Sequence, residues 1–387
     1  MLSEKELDMN GRDWPAYPVA RRASELIYPC FLRGLGQGNG QPDSPHCPDV
    51  TDIEGMIDAA FWASLRREEG YVPTISAAFL DPDGTRHPLR FEQPLPFAPD
   101  ALARLAPAVE RPGVHLGVWR RSGNLQVWGT ATAIPKHCFV LEVTSPGLLV
   151  IKESRGEETG KFANVAVLEG DLIKILSENT MNLPDCLPLV RSLLGFAWAG
   201  SPTDDLNVLL QLAVSMRGHG RGGSLLVVPS TGERWRDSII PPIRYSVSPP
   251  FVGLPGSLEN GSVSQDPAWK DSLRRAVDAI AGLTAVDGAT VMSDSYQLIA
   301  FGAKIGRHPK GTRVEQVVVT EPVTGSVAEI VHPTQFGGTR HLSAAQFAQD
   351  QPDSMALVAS QDGRFTIFAW SPCEQMVHAH RIEALLR

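Results

Sequence analysis

The 387-residue chain lacks long apolar runs, which argues against a membrane-spanning helix. A spanning helix needs about 18 or more consecutive apolar residues, whereas the longest runs here, GLLVI and SLLVVP, are only as long as strands. The start of the chain, MLSEKELDMNGRDWP, contains no apolar core of the kind that secretory signals carry. These features predict a cytoplasmic protein with no membrane contact.

An excess of positive charge is also missing. Lys and Arg total 35 against 43 Asp and Glu, for a net charge of −8, and this balance argues against a nucleic-acid partner. The cysteines form no C-x-x-C pair and no metal-binding spacing, which indicates reduced thiols and argues against a zinc site. There are five, at Cys30, Cys47, Cys138, Cys186 and Cys373.

Several common catalytic motifs are absent as well. The glycine-rich stretch at 34–40 has no strand before it and no Gly-Lys-Ser/Thr after it, so it does not predict a phosphate loop. GHGRGGS fits G-x-G-x-x-G formally, but a helix precedes it and a strand follows, which predicts a plain helix-to-strand loop. No G-x-S-x-G and no H-E-x-x-H occurs, which argues against an ordinary hydrolase.

The chain contains 35 glycines and 31 prolines, a composition typical of proteins with many turns and short strands. Residues 1–47 are rich in turn formers and predict an irregular lead-in. Residues 48–183 predict a strand-rich, mixed α+β domain. It opens with a helix over 51–66 capped by Thr51 or Asp52, followed by a hairpin whose turn is the Asp-Gly of DPDGTRH.

From residue 184 to 387, helices alternate with buried strands, which predicts a second domain of the α/β class. LPLVRSLLGFAWAG is predicted to be helical, and Ser201 or Thr203 is expected to cap the next helix. A third helix is predicted to end at Gly282, and VEQVVVTEPVTGSVAEIV reads as a hairpin-like excursion.

Two short motifs in this second domain could carry chemistry. In VDGAT, Asp287 precedes Gly288 and Ala289, whose small size lets a ligand approach the backbone closely. Such a carboxylate can hold a divalent metal or accept a hydroxyl proton. The alternative is a simple Asp-Gly turn.

The second motif, GGTRH, offers an anion site. Gly337 and Gly338 precede a predicted helix start, where backbone N–H groups attract phosphate. Thr339 adds a hydroxyl, Arg340 a guanidinium fork and His341 a further donor. The alternative is a capped helix with a solvated Arg-His pair. Taken together, a carboxylate and an anion cradle in one α/β domain supply the parts for phosphoryl or nucleotidyl transfer.

The segments DGAT, LIAFGAKI, GGTRHLSAAQF and MALVASQDGRFTIF resemble the catalytic domain of diadenylate cyclases, typified by the DNA-integrity scanning protein. The resemblance covers about residues 190–380 and is most specific over 286–370. RGGSLLVVP is similar to the family's first core strand. The N-terminal half is similar, more vaguely, to the sensor domain that precedes some of these cyclases.

The resemblance implies a mixed central sheet flanked by helices. It implies a reaction that condenses two ATP into the second messenger cyclic di-AMP with release of two pyrophosphates. Mn²⁺ or Mg²⁺ would be the cofactor, and two catalytic domains would face each other in a homodimer or larger even assembly. The implied residues are Asp287 for the metal and 3′-hydroxyl, Gly288 and Ala289 for the ribose, and Gly338, Thr339, Arg340, His341 and Ser360 for the phosphates.

Two positions depart from the family pattern. Leu342 stands where the family has a second arginine, and Gln361 stands where it has a glutamate. The segment between the motifs is also long, and its Arg307, His308, Lys310 and Arg313 either replace the missing charge or sit on a solvated hairpin. Three functions therefore remain open: an active, sensor-regulated diadenylate cyclase, a degenerate cyclase fold that binds nucleotide as a regulator, and a cyclase with another cyclic dinucleotide product. No motif names the sensor's ligand.

Overall fold

The computed structural model describes residues 14–36, 47–155, 162–176, 208–252, 254, 267–335 and 337–386. The chain divides into two compact units, Met1–Leu176 and Ser177–Arg387. The predicted boundary at 183/184, the predicted helix in 187–200 and the predicted caps Ser201 and Thr203 lie outside the described residues. Among the helices in the described part of the chain, none combines the length and apolarity needed to cross a membrane.

The first unit contains one eight-stranded sheet in the order β2-β4-β3-β1-β5-β6-β7-β8. Its central strands β1 and β3 run parallel, and the other neighbours run antiparallel. The strands are β1 Ile75–Phe79, β2 Leu89–Pro96, β3 His115–Arg121, β4 Asn124–Ala131, β5 Phe139–Ser145, β6 Leu148–Ser154, β7 Phe162–Glu169 and β8 Leu172–Ile175.

Three helices pack on one face of this sheet: α1 Ala20–Gly36, α2 Val50–Ser64 and α3 Pro99–Val109. Alternate strand residues point to that face because side chains alternate along a strand. Phe79, Leu116 and Leu141 are each at most 1% exposed there and share one core with the helices. The predicted strand-rich α+β architecture is therefore present.

The prediction of an irregular lead-in over 1–47 is wrong where α1 lies. Apolar side chains recur along this segment at helical spacing and are buried against the rest of the unit: Tyr17, Ala20, Ala23, Ile27 and Phe31. Asp58 of α2 fixes the entry to α1, because its carboxylate accepts hydrogen bonds from the Trp14 indole at 2.7 Å and the Tyr17 amide at 2.5 Å. The turn formers elsewhere in 1–47 hid this periodicity.

Two local predictions in this unit need correction. The cap of α2 is Asp49, whose carboxylate accepts from the Asp52 amide while Asp52 accepts from the Asp49 amide. Pro82–Gly84 forms a short 3-10 turn, and β2 does not pair with β1 as the predicted hairpin requires. Instead β2 pairs with β4 at the sheet edge, since β1 is already flanked by β3 and β5.

The other face of this sheet carries a buried polar pair. Ser76 Oγ lies 2.7 Å from His115 Nδ1 across neighbouring strands, and the His115 side chain is buried. Burial lowers the pKa of His115 to about 4, against a smaller opposing effect of Glu142. His115 is therefore a neutral donor or acceptor at pH 7.

The second unit contains a nine-stranded mixed sheet in the order β10-β12-β11-β9-β15-β16-β17-β13-β14. The pairs β9/β11 and β13/β17 are parallel. The strands are β9 Gly223–Val228, β10 Tyr245–Phe251, β11 Ala289–Ser293, β12 Leu298–Ala303, β13 Val317–Thr320, β14 Glu329–Val331, β15 Met355–Ala359, β16 Phe365–Ser371 and β17 Met376–Arg381.

Three helices are described in this unit: α4 Val208–Gly218, α5 Pro267–Leu283 and α6 Thr339–Asp350. The buried residues Ala344 and Phe347 of α6 share a core with strand residues such as Val291 on one face. Neighbouring strand residues such as Leu225 and Met292 are also buried, so the central strands are covered on both faces. This is the α/β character that the alternating helices and strands predicted.

Several local predictions are confirmed here. GHGRGGS is a helix-to-strand loop between α4 and β9. α5 ends within one residue of Gly282, β11 and β12 form an antiparallel pair, and VEQVVVTEPVTGSVAEIV contains the antiparallel pair β13 and β14. α6 begins directly after the Gly-Gly pair, as the motif required.

Candidate functional site

The Asp287 and GGTRH motifs meet at one edge of the second sheet. β9 and β11 are parallel neighbours, and both begin at this edge. Thr290 pairs with Leu225. Asp287 and Gly222 each come just before one of these neighbouring strands, so both lie at this edge.

Asp287 lies in the loop between α5 and β11, and its side chain is exposed. Gly288 follows with φ +103°, a backbone conformation that residues with a Cβ rarely adopt. A Cβ at Gly288 would lie 2.5 Å from the Gly302 carbonyl carbon. Because this loop lies so close to the end of β12, the position of the Asp287 backbone relative to that strand is fixed.

Arg340 reaches the same edge from the start of α6. A Cβ at Gly222 would lie 2.9 Å from Arg340 Nη1 and 3.2 Å from the Ala359 carbonyl oxygen. Gly222 has φ +71°, so the turn itself requires glycine. The guanidinium is exposed and makes no ion pair within the described ranges. It is free to bind an anion.

The first turn of α6 supplies backbone donors beside this guanidinium. Gly338 is the N-cap residue, its backbone is extended, and it makes no side-chain cap because it has no side chain. The first amides of a helix lack an acceptor within the helix, and here Gly338, Thr339 and Arg340 are all exposed. A phosphate group at this turn would meet backbone N–H groups, a hydroxyl and a guanidinium together.

His341 lies differently from its neighbours in the motif. The imidazole is buried, and a Cβ at Gly337 would lie 2.2 Å from His341 Cγ. The ring also packs edge-on against Phe368 at 6.0 Å. Burial lowers the pKa of His341, with a smaller opposing effect of Asp362. The ring is neutral at pH 7, and it packs against the Gly-Gly turn beneath the exposed backbone N–H groups of the first turn of α6.

Ser360 lies in the tight turn that joins β15 to β16. Its amide donates to the Arg364 carbonyl at 2.9 Å, and the side chain is half-buried. Since Ala359 pairs with Gly223, the register sets Ser360 beside Gly222 and hence beside the Arg340 guanidinium. Asp287, Gly288, Gly338, Thr339, Arg340 and Ser360 therefore share one edge, and Ala289 starts the buried strand β11 behind them.

The two departures from the family pattern have different surroundings. Leu342 is half-buried and packs against the core between α6 and the sheet. Gln361 is exposed, and its amide nitrogen lies 3.4 Å from the Arg221 carbonyl oxygen. An arginine side chain at position 342 would have to turn away from that core to reach solvent. A carboxylate at position 361 would be exposed to solvent, as the Gln361 side chain is.

The basic residues of the long segment lie away from this edge. The His308 amide donates to Asp350 Oδ2 at 2.8 Å, at the C-terminal end of α6. Ten residues separate Asp350 from Arg340, which is about 15 Å along a helix. Lys310 follows two residues later on the same loop, so this loop does not replace the charge that Leu342 lacks.

Sequence reasoning missed Gly222 and its neighbour Arg221 as residues of this edge. GHGRGGS was interpreted only as a connecting loop, and its last glycines in fact border the Arg340 guanidinium. Gly223 is also tight, since its Cβ would lie 2.6 Å from Thr284 Oγ1. Glycine pairs immediately before a buried strand were the available signal.

This edge offers few side-chain ligands for a divalent metal. Within the described ranges there is no group of three or more His, Cys, Asp or Glu side chains that could hold an ion. Asp287 offers a single exposed carboxylate. Mg²⁺ commonly binds through one or two carboxylates together with substrate phosphates, so these residues fit an ion that arrives with a nucleotide, and not a metal caged by protein alone.

One family model matches part of the chain. A family model described as "Probable sensor domain DACNV" matches residues 42–132. These residues run from just before α2 to the end of β4, all within the first unit, and none belongs to the unit that contains Asp287. No curated protein matches the chain.

Two solved structures show weak similarity. One, from Bacillus cereus, is described as a hypothetical membrane spanning protein. It has 12% identity and a TM-score of 0.26, with 44% of this chain and 61% of that chain covered. The other is a double mutant of DacA from Staphylococcus aureus, with 11% identity and a TM-score of 0.25, covering 44% of this chain and 83% of that chain. Scores this low support no conclusion about this chain.

Proposed function

We propose that this chain is a diadenylate cyclase whose N-terminal unit senses a signal and regulates a C-terminal catalytic unit. The observation that supports the proposal is that Gly222, which directly precedes β9, borders the Arg340 guanidinium, while Asp287 lies in the loop before the neighbouring strand β11. A single exposed carboxylate beside an open anion cradle suits a nucleoside triphosphate. The match of residues 42–132 to a probable sensor domain supports the regulatory half.

In this proposal each catalytic unit binds one ATP, and two units face one another. Each ribose 3′-hydroxyl attacks the α-phosphorus of the other nucleotide. A new phosphorus–oxygen ester bond forms at each centre, the bond to the β-phosphate oxygen breaks, and pyrophosphate leaves. The two hydroxyl protons pass to Asp287 or through it to water. The product is cyclic di-AMP plus two pyrophosphates.

Residues of this chain have distinct tasks in that reaction. The Thr339 and Arg340 amides and the Arg340 guanidinium bind and orient the phosphates, so that negative charge developing on the leaving group is stabilised. Asp287 would hold Mn²⁺ or Mg²⁺ shared with the nucleotide, which supplies charge neutralisation at the phosphates. Gly288 packs its backbone against β12 and so positions Asp287, and Ser360 adds a hydroxyl near Arg340.

Because each site needs a second nucleotide in the opposite orientation, catalysis requires two copies related by a two-fold axis. We therefore propose a homodimer or a larger even assembly during turnover. Sedimentation velocity with ATP and Mn²⁺ should show the chain associating. A chain that turns ATP over while strictly monomeric would contradict this part of the proposal.

The decisive experiment incubates the purified full chain with ATP and Mn²⁺ or Mg²⁺ and identifies products by mass spectrometry. We expect cyclic di-AMP and pyrophosphate, and a loss of at least about 100-fold for Asp287→Asn, since a proton-transfer or metal-binding group is removed. Asp271→Asn is the matched control, because Asp271 is exposed on α5 away from this edge. If folded, associated protein gives no dinucleotide with either metal, the cyclase proposal fails.

A second function is favoured by Leu342 and Gln361. Losing one charge-assisted hydrogen bond typically costs about 1.5–3 kcal/mol, and Leu342 is a half-buried apolar side chain that cannot supply that bond. The chain would then bind ATP as a regulator without turning it over. Calorimetry with ATP separates the cases, because binding without product indicates the regulator and no binding contradicts both. Mixed nucleotides in the same assay would reveal another cyclic dinucleotide.

A further inference from the structure

A second cavity lies at the opposite end of α6 from the candidate nucleotide site. Its volume is about 710 Å³, within the usual range of small-molecule sites. It is an open cavity bordered by the end of α6, the loop that follows β12, and the β16–β17 turn. Residues that line it include Arg234, His308, Lys310, Arg313, Trp370 and Met376.

The loop that forms one wall is held rigidly by α6. Asp350 accepts hydrogen bonds from the His308 amide at 2.8 Å and the Gln346 amide group at 3.0 Å. Gln346 also accepts from the Val314 amide at 3.0 Å, and Gln349 donates to the Thr312 carbonyl at 3.0 Å. A Cβ at Gly311 would lie 2.1 Å from Asp350 Oδ1, so the loop backbone is pressed onto this carboxylate. The loop is thus preorganised before any ligand binds.

Three cations in this cavity, Arg234, Lys310 and Arg313, are exposed. They make no ion pair within the part of the chain that the structure describes. The lining also contains two carboxylates. Asp350 accepts hydrogen bonds from the His308 amide and from Gln346, and Glu315 lies 4.0 Å from His332 Nε2. Three cations against two carboxylates leave the lining with an excess of positive charge.

Trp370 adds an aromatic surface to the same wall. It is half-buried, with part of its ring packed against the core and part lining the cavity. Arginine and lysine bind phosphate oxygens, and a tryptophan surface stacks planar rings. We propose that this cavity is a binding site for a small phosphorylated molecule that carries a planar ring, separate from the Asp287 edge. The proposal stands whether or not the chain is a cyclase.

The test uses ADP, pyrophosphate and adenosine as calorimetric probes on the full chain carrying Arg340→Ala, so that nucleotide held at the other edge does not mask the cavity. Lys310→Ser with Arg313→Ser should weaken ADP and pyrophosphate binding at least about tenfold, as expected for losing charge-assisted contacts. Arg121→Ser with Arg275→Ser removes the same charge from exposed positions outside the cavity and should change nothing. Adenosine should not bind measurably.

A second arm tests the role of the ring. Trp370→Ala should weaken ADP binding about tenfold, in the range of lost base stacking, while pyrophosphate binding stays unchanged. Equal ADP binding by the cavity variant and its charge control would overturn the site. An unchanged ADP affinity in Trp370→Ala, or binding of hexaglutamate in place of ADP, would overturn the assigned ligand class. Circular dichroism of each variant confirms that it is folded.

Discussion

Replacing Gly288 by alanine tests how tightly the Asp287 loop is built. Gly288 has φ +103°, and forcing a residue with a Cβ into such a region costs about 1–3 kcal/mol. The new Cβ would also lie 2.5 Å from the Gly302 carbonyl carbon and 2.9 Å from the Ala303 amide nitrogen. Both are backbone atoms of β12 and cannot rotate away, so overpacking adds about 1–3 kcal/mol. The total is about 2–6 kcal/mol, a large part of a typical folding free energy.

Gly363→Ala is the matched control, because Gly363 has φ +82° with nothing within 4 Å of its Cβ position. Both variants share the strain of positive φ and the unfolded-state effect of alanine, so their difference isolates the collision. Urea denaturation should place Gly288→Ala about 1–3 kcal/mol below Gly363→Ala. Hydrogen exchange should rise in β11 and β12. A difference below about 0.5 kcal/mol would refute the close packing of this loop.

Three further predictions follow from burial and hydrogen bonding. Burial lowers the pKa of His115 to about 4 in the folded state, against 6.5 in the unfolded chain, so protonation favours unfolding. The free energy of unfolding should therefore fall by about 3 kcal/mol between pH 6.5 and 4. In urea titrations at several pH values, His115→Asn should show a smaller fall. Asp350→Ala leaves the His308 amide and the Gln346 side-chain amide without this acceptor, so the free energy of unfolding should fall by about 1–3 kcal/mol and hydrogen exchange at 308–312 should be faster. The control Asp353→Ala, at an exposed position, should change stability very little. Gln361→Glu should change the free energy of unfolding by less than about 0.5 kcal/mol, because the side chain is exposed. Under the proposed function it should raise Mn²⁺-dependent turnover, whereas Gln335→Glu, a control at another exposed glutamine, should not. An unchanged rate would show that this position does not limit the reaction.

The sequence predicted most elements of the second unit because its strands and helices have strong local signals. DGAT, GGTRH and the QDG turn each lie at the end of an element, where glycine marks the boundary. What it could not predict is that β9 and β11 are parallel neighbours, which brings Gly222 and Asp287 to one edge, because strand pairing depends on contacts between distant parts of the chain. The burial of His341 was missed for the same reason: only the packed sheet shows that Phe368 lies beneath it.

The first unit was harder to predict. The helix α1 was hidden among turn formers, and the supposed hairpin of β1 and β2 failed because pairing between distant strands overrode the Asp-Gly signal. The long loop after β12 is a third case. Its cations looked available to the phosphate site, but hydrogen bonds to Asp350 hold it at the other end of α6.

The buried Asp58 carboxylate has a practical meaning for protein production. A fragment cut to the limits of the sensor-family match, 42–132, would lose Trp14 and Tyr17, which both donate to this carboxylate. It would also bare the apolar surface on which Phe31 rests and strip the strands β5 to β8 from the sheet. Such a fragment should aggregate, so a version of the first unit that folds alone needs the chain from before Trp14 to at least Leu176.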